Sequence, residues 1–136
     1  MRSLRDDGGM MRLVTITRLV VILTIIGVFG YDGFSCMSTR VNTENDAQDA
    51  AFAASQAWHD YAGNSGVALQ LAYQAAVAAV ADNKAETVQP TDFTVDADGT
   101  VHLIIDRTAK TLVFHRIGLL KHWVTVAEHG DANSVN

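Results

Sequence analysis

The stretch Leu13–Tyr31, LVTITRLVVILTIIGVFGY, decides the fold class of this chain. Its 19 residues carry one charge, on Arg18. As an α-helix they would extend about 28 Å, close to the roughly 30 Å hydrocarbon core of a bilayer. The sequence therefore predicts a membrane-spanning helix. The predicted residues of the span are Leu13, Arg18, Val20, Val21, Ile22, Leu23, Ile25, Ile26, Val28, Phe29 and Tyr31.

Three alternatives to a retained anchor are disfavoured. A cleaved secretory signal needs a small-x-small site, which Gly30–Cys36 (GYDGFSC) lacks. A lipoprotein signal needs an aliphatic residue three positions before the cysteine, where this chain has Gly33. A buried core helix would need a second apolar segment of similar length, and the sequence has none. Arg18 is open to two interpretations: a side chain that reaches the inner membrane surface, or a charge partner for another subunit.

Charge divides the chain in two and predicts its orientation. Residues 1–31 hold four Arg against two Asp, a net charge of +2, whereas residues 32–136 hold six Lys/Arg against thirteen Asp/Glu, a net of −7. Basic flanks stay cytoplasmic, so we expect residues 1–12 inside and an extracytoplasmic domain over 32–129, followed by a disordered tail at 130–136. The negative domain makes nucleic acid an unfavourable partner.

Composition excludes several classes of protein. The chain has 136 residues, of which 49% are hydrophobic, 18% charged and one a cysteine. A disordered chain, a disulfide scaffold and a multi-domain enzyme are therefore all excluded. The region outside the span is large enough for one small domain.

Two Ala-rich helices are predicted after the span. Over residues 37–62, one helical face carries Ala47, Ala51, Ala54, Trp58 and Tyr61. This helix is expected to continue the membrane span, although Gly27, Gly30 and Gly33 could bend it. Gly63–Gly66 ends it, and a second helix over 66–84 follows. Its predicted packing stripe is Leu69, Tyr73, Ala76, Val77 and Val80.

The remaining sequence favours antiparallel strands. Residues 86–91 form a predicted linker. A hairpin follows, with strands over 93–95 and 100–106 and a turn at Asp96–Gly99. Residues 111–120 are ambiguous between a short strand and an apolar loop or helical turn, and 121–129 form the last strand. The expected fold class is α+β: a transmembrane helix that continues into a long Ala-rich helix, a second helix, and a three- or four-stranded antiparallel sheet.

No arrangement of residues predicts catalysis, a metal site or a cofactor. The five histidines show no metal-ligand spacing, and Asp96–Gly99 is a hairpin turn without the further oxygen ligands that calcium requires. Cys36 has no partner within the chain, which leaves a buried or interfacial thiol or a bridge between chains. We expect a non-enzymatic protein.

The order of segments resembles a known family. Asp6–Gly9 leads into the apolar span, which is followed by Tyr31-Asp32-Gly33, Ser38–Asn42 and the Ala-rich Asp46–Ala54. Arg107–Leu112, Ile117-Gly118 and Val124–Val126 are similar to the strand region of the same proteins. This pattern resembles the TadE/TadG-like, pilin-like proteins of tight-adherence (Flp-type) pilus systems, particularly the actinobacterial ones.

The resemblance implies a membrane-anchored pilin-like or assembly role in a pilus, without catalysis. Its implied partners are the lipid bilayer and other single-span pilin-like subunits or pilus assembly proteins. Gly9 is the candidate leader cleavage site, but the fifth residue of the product would be Val14, where prepilins carry an acid. The resemblance therefore leaves both a processed and a retained N-terminus open. In this scheme Leu13–Tyr31 is the anchor, and Ala47, Ala51, Ala54 and Trp58 hold the head, which is the extracytoplasmic domain, to the helical stalk. Leu69, Tyr73 and Val77 are predicted packing residues of the second helix.

Overall fold

The computed structural model describes residues 7–61, 64–83 and 86–134, with side chains from residue 12 onward. The fold is α+β, as expected. A first helix, α1, covers Asp7–Asp60, and a second, α2, covers Ser65–Ala79. Four antiparallel strands form an open sheet beside them.

Helix α1 is uninterrupted over its 54 residues. The expected continuation of the apolar stretch into the Ala-rich helix is therefore confirmed. Gly27, Gly30 and Gly33 all lie within it, with open space around each of them. Asn64 begins α2, because its side chain accepts a hydrogen bond from the Val67 N–H.

The sheet is built around its third strand. Strand β3, Val101–Thr108, pairs along its whole length with β4, Thr125–Ala132. Its other edge is shared by two short strands, β1 (Glu86–Val88) and β2 (Thr94–Val95). Val101, Leu103 and Ile105 alternate with polar and half-buried neighbours, so one face of β3 packs into the core.

The core lies where α1 contacts both α2 and the sheet. Its buried side chains are mostly small: Ala47, Ala50, Ala51, Ala54, Ala72, Ala76, Val80, Val88, Val101, Leu103 and Ile105. Trp58, Tyr73 and Phe93 pack at its margin. Small side chains let these backbones approach closely, which explains a compact head with few large core residues.

The structure corrects the predicted stripe of α2. Leu69 and Val77 are 43% and 40% exposed, whereas Ala68, Ala72 and Ala76 are fully buried. Ala76 and Val80 of the predicted stripe are buried as expected, but Leu69 and Val77 lie outside the interface. Ala68 and Ala72 are buried instead, because alanines allow closer contact with the alanine face of α1 than leucine and valine would. Tyr73 lies at the edge of this interface and stacks edge-on against Phe93.

Three further expectations are wrong. Residues 86–88 of the predicted linker form β1, since Val88 is buried and the strand is too short to show an alternating pattern. Residues 121–124 of the predicted last strand form a short helix, α3. The predicted disordered tail begins too early, because β4 runs to Ala132 and the Ser134 backbone N–H donates to the buried Ser55 Oγ at 2.8 Å. Residues 135 and 136 lie outside the described range.

Candidate membrane anchor and assembly surface

One helix among the described residues, α1, is long and apolar enough to cross a membrane, and none of its most apolar window is buried. The predicted span residues lie in its N-terminal half. Val28 is half-buried, whereas Leu13, Arg18, Val20, Val21, Ile22, Leu23, Ile25, Ile26, Phe29 and Tyr31 are exposed. A water-exposed apolar surface of this extent is unfavourable, so this half of α1 is a candidate membrane span.

Two threonines of the span form hydrogen bonds with the backbone of their own helix. Thr17 and Thr24 donate their hydroxyl hydrogens to the carbonyls of Leu13 and Val20, at 2.9 and 2.8 Å. Hydroxyls bonded in this way leave no donor unsatisfied in a hydrocarbon environment. The segment is thus chemically suited to lipid despite its threonines.

Asp32, the first residue after the predicted span, is fully buried. Its carboxylate accepts hydrogen bonds from the backbone N–H groups of Leu112, Val113 and Phe114, at 2.6, 2.8 and 3.0 Å. Burial opposes ionisation, but the three donors outweigh it, and the pKa of Asp32 lies below its usual value. Asp32 therefore fastens a distant part of the chain to α1.

The segment that Asp32 holds connects β3 to β4 and is called here the collar segment, residues 109–124. A hydrogen bond joins the two ends of this segment: the Ala109 N–H donates to the Val124 carbonyl at 2.8 Å. Ser35 adds a second tie to α1 by donating to the Lys110 carbonyl at 2.6 Å. Phe114 is buried and meets Phe29 edge-on, with ring centroids 5.7 Å apart. The collar segment thus packs around α1 where the predicted span ends.

A groove of about 570 Å³ lies between the collar segment, β4 and α1. Its lining includes Met37, Trp123 and the sole cysteine, Cys36. Burial, and then the negative charge of Asp32, raise the pKa of the Cys36 thiol, so this thiol is less reactive than a free one. Arg40 and Glu128 also line the groove and form an ion pair, with Nε and Oε1 2.7 Å apart.

The Ala-rich half of α1 contacts the sheet at backbone distance. A Cβ atom on Gly130 of β4 would overlap the Ala47 carbonyl group. Ala47, Ala51 and Ala54 are fully buried, and Trp58 packs against the same core. Glycine on the strand and alanine on the helix are therefore both required for this close contact.

A half-buried ion-pair cluster fixes α1 to the opposite edge of the sheet. Arg107 Nη1 lies 2.6 Å from Glu86 Oε1 and 3.5 Å from Asp46 Oδ2, and Asn83 donates to Asp46 at 3.0 Å. Burial raises the pKa of Glu86, and the neighbouring Asp46 raises it further, while Arg107 opposes this rise. The cluster joins α1, the end of α2, β1 and β3.

The histidines lie apart from one another. His102 on β3 lies between Asp131 and Asp96, with nitrogen–oxygen distances of 2.7 and 3.2 Å. Its hydrogen bonds to Asp131 and then to Asp96 raise its pKa. Within the described ranges, no group of three or more His, Cys, Asp or Glu residues is arranged to hold a metal ion.

Comparison of this chain with protein-family models, with curated proteins and with solved structures finds no match. The class of molecule is therefore defined by its architecture alone: an α+β head on a long helix whose other half is a candidate membrane span. Gly9 lies in the first turns of α1, but its side-chain surroundings are outside the described range.

Sequence reasoning missed the two contacts that join head and stalk most specifically. The sequence predicts no contact for Asp32 at the outer end of the span, and it predicts that Gly130 lies in the disordered tail. One signal was available for Asp32, because a carboxylate directly after an apolar span needs a partner. Its partners are backbone groups about eighty residues away in sequence, which no local pattern reveals.

Proposed function

We propose that this protein is a membrane-anchored, pilin-like structural or assembly component of a tight-adherence (Flp-type) pilus. It is held in the bacterial cytoplasmic membrane by one span, with the N-terminus inside and the head outside. The observation that carries this proposal is the single helix α1, exposed and apolar in one half and the core of the head in the other.

This geometry supports a subunit that assembles through its anchor. Because α1 is uninterrupted, the packing of the span in the membrane would also determine the position of the head. The exposed side chains of the span are free to pack against the spans of other subunits, and Gly27 and Gly30 have open space around them for a neighbouring helix. Assembly of such subunits would place their heads outside the membrane in a regular array.

Cross-linking in native membranes tests the proposal. In a Cys36→Ser background, Ile22→Cys places a single thiol on the span, and Gln70→Cys places one on the exposed face of α2 as a matched control. Oxidation is expected to join Ile22→Cys to a second copy or to another single-span subunit. The proposal would be contradicted if Ile22→Cys formed no cross-linked product and the protein captured only an unrelated soluble protein.

The intact mass of the protein extracted from native membranes separates two versions of this role. Loss of residues through Gly9 is expected for a subunit processed by a prepilin peptidase and incorporated into a filament. A full-length mass is expected for a retained assembly component. A mass that shows cleavage after the span would contradict both versions, because the head would then leave the membrane.

A second candidate function is an anchored protein-binding module. The observation that favours it is the exposed apolar surface of α2 at Leu69 and Val77, on a side of the head away from the core. If this surface binds the partner, Leu69→Ser should abolish capture of that partner, whereas cross-linking at Ile22→Cys should be unchanged.

A further inference from the structure

The collar segment has the opposite charge to the domain that carries it. Residues 107–127 contain Arg107, Lys110, Arg116 and Lys121 and no acidic residue, although residues 32–136 together have a net charge of −7. Within the collar segment, Lys110, Arg116 and Lys121 are all exposed, as are His115 and His122. Four of the six Lys/Arg side chains of the ectodomain are therefore in one short stretch.

The collar segment also exposes apolar side chains. Leu119 is 83% exposed, more than any other large hydrophobic residue in the described ranges, and Trp123 is 60% exposed. Leu112 and Ile117 are exposed in the same segment, and Tyr31, Phe34 and Met37 are exposed on the adjacent turns of α1. The collar segment and the adjacent turns of α1 thus expose both apolar and cationic side chains.

The position of this surface relative to the span follows from the contacts already described. Asp32 and Ser35 bind the collar segment, and Phe29 contacts Phe114. At 1.5 Å per residue, residues 32–36 lie within about 8 Å of the end of the span. The headgroup layer of a bilayer is of similar depth, so a chain inserted through Leu13–Tyr31 has its collar segment in that layer.

We propose that the collar segment is a membrane-contact surface that binds the outer face of an anionic bilayer and holds the head against it. Leu119 and Trp123 enter the interface between headgroups and acyl chains, and Lys110, Arg116 and Lys121 lie among the anionic headgroups. This combination of apolar insertion and cationic attraction is the one that interfacial segments use. The proposal rests on the membrane anchor of the proposed function and is independent of the pilus assignment.

Fluorescence of the full chain in lipid vesicles tests this contact. The protein has two tryptophans, so Trp58→Phe reports Trp123 alone and Trp123→Phe reports Trp58 alone. Each is reconstituted into phosphatidylcholine vesicles with about one third phosphatidylglycerol, with or without lipids brominated near the headgroup. Trp58 lies 26 residues beyond Asp32 along α1, roughly 39 Å away, and is the internal control.

Trp123 is expected to lose most of its emission to the brominated lipid, while Trp58 keeps its emission. Equal, weak quenching of both in protein that floats with the vesicles would overturn the proposal and leave the anchor intact. Protein that does not float would instead overturn the anchor on which both proposals rest. If the emission of Trp123 changed with the density of protein in the vesicles and was not quenched by brominated lipid, the proposal would be overturned. The collar segment would then contact other copies of the protein.

Two sets of variants test the chemistry of the contact. Leu119→Glu should strongly reduce the quenching of Trp123, whereas Val77→Glu, on an exposed position of α2, should not. Replacing Lys110, Arg116 and Lys121 by Gln should remove the difference between vesicles with and without phosphatidylglycerol. If the charge-neutral variant keeps that difference, the proposed role of the cationic side chains is wrong.

Discussion

Asp32 shows how one side chain can decide the position of a distant segment. A carboxylate immediately after an apolar span would be costly if it faced lipid. Three backbone N–H groups of the collar segment surround it, so its charge is satisfied within the protein. The same hydrogen bonds hold the backbone of residues 112–114 against α1.

Replacing Asp32 by Asn is expected to release the collar segment. The amide has one acceptor oxygen in place of two, and its NH₂ group would face backbone donors. Amide hydrogen exchange at residues 112–114 should become faster by about tenfold or more. Asp49→Asn, at an exposed position of α1, is the control. Unchanged exchange at residues 112–114 would show that the collar segment is held without Asp32.

The lowered pKa of Asp32 gives this contact a pH dependence of known sign. The folded state favours the carboxylate, so its contribution is complete above the ordinary aspartate pKa of about 4. It is lost as pH falls through the lower pKa of the folded state. The protection of the residue 112–114 amides, measured relative to the intrinsic exchange rate at each pH, should therefore be constant from neutral pH to about pH 4 and decrease below it.

His102 gives a pH dependence of the opposite sign. Its hydrogen bonds to Asp131 and Asp96 raise its pKa, so the protonated ring is favoured in the folded state. The stabilisation is complete below the ordinary histidine pKa of about 6.5 and disappears as pH rises through the higher folded value. We expect the Tm to fall over this interval, and His102→Gln to reduce that fall. An identical pH profile for the variant would contradict the assignment.

At the scale of elements, the contact between α1 and β4 depends on very small residues on both elements. Alanines on the helix and Gly130 on the strand bring the two backbones together, and the buried stripe of α2 repeats the same arrangement. Such contacts tolerate little change in volume, because backbone atoms on both sides cannot move independently.

Gly130→Ala is expected to destabilise the head by about 3 kcal/mol, at the upper end of the usual cost of overpacking. The added methyl group would meet the Ala47 carbonyl group, so helix and strand would have to separate. Urea denaturation in detergent, followed through Trp58 at the margin of the core, measures the change. Gly118→Ala, which has open space around it, should leave stability nearly unchanged. Equal stability of the two variants would contradict the close contact.

At the scale of the whole molecule, α1 joins a candidate membrane span to an α+β head. The exposed apolar surface of the span would be unfavourable in water, whereas the head has a net negative charge. The basic N-terminal residues favour retention on the cytoplasmic side. Together these properties support the proposed orientation.

Thiol labelling of intact cells tests this orientation. In a Cys36→Ser background, Asp98→Cys in the exposed β2–β3 turn should react with a membrane-impermeant maleimide. Met11→Cys, which precedes the span and would be kept even after cleavage at Gly9, should react only after lysis. The reverse pattern would place the head in the cytoplasm, and reaction of both positions in intact cells would mean that the chain does not span the membrane.

The elements that the sequence predicts correctly are those with a local cause. Hydropathy and length define Leu13–Tyr31, alanine periodicity predicts the continuation of α1, and the alternation around Val101–Ile105 predicts β3 and its hairpin. Each of these patterns lies within one segment, because helix and strand periodicities relate neighbouring residues.

Which surfaces pack against one another is known from the folded structure and not from any one segment of the sequence. The position of α2 depends on how closely two alanine stripes can approach, so Leu69 and Val77 lie outside the core. Strand β1 and the end of β4 exist because β3 offers unpaired edges, and the collar segment is ordered because Asp32 binds its backbone. These outcomes depend on partners far along the chain, and the free energy that selects them comes from contacts that no single segment contains.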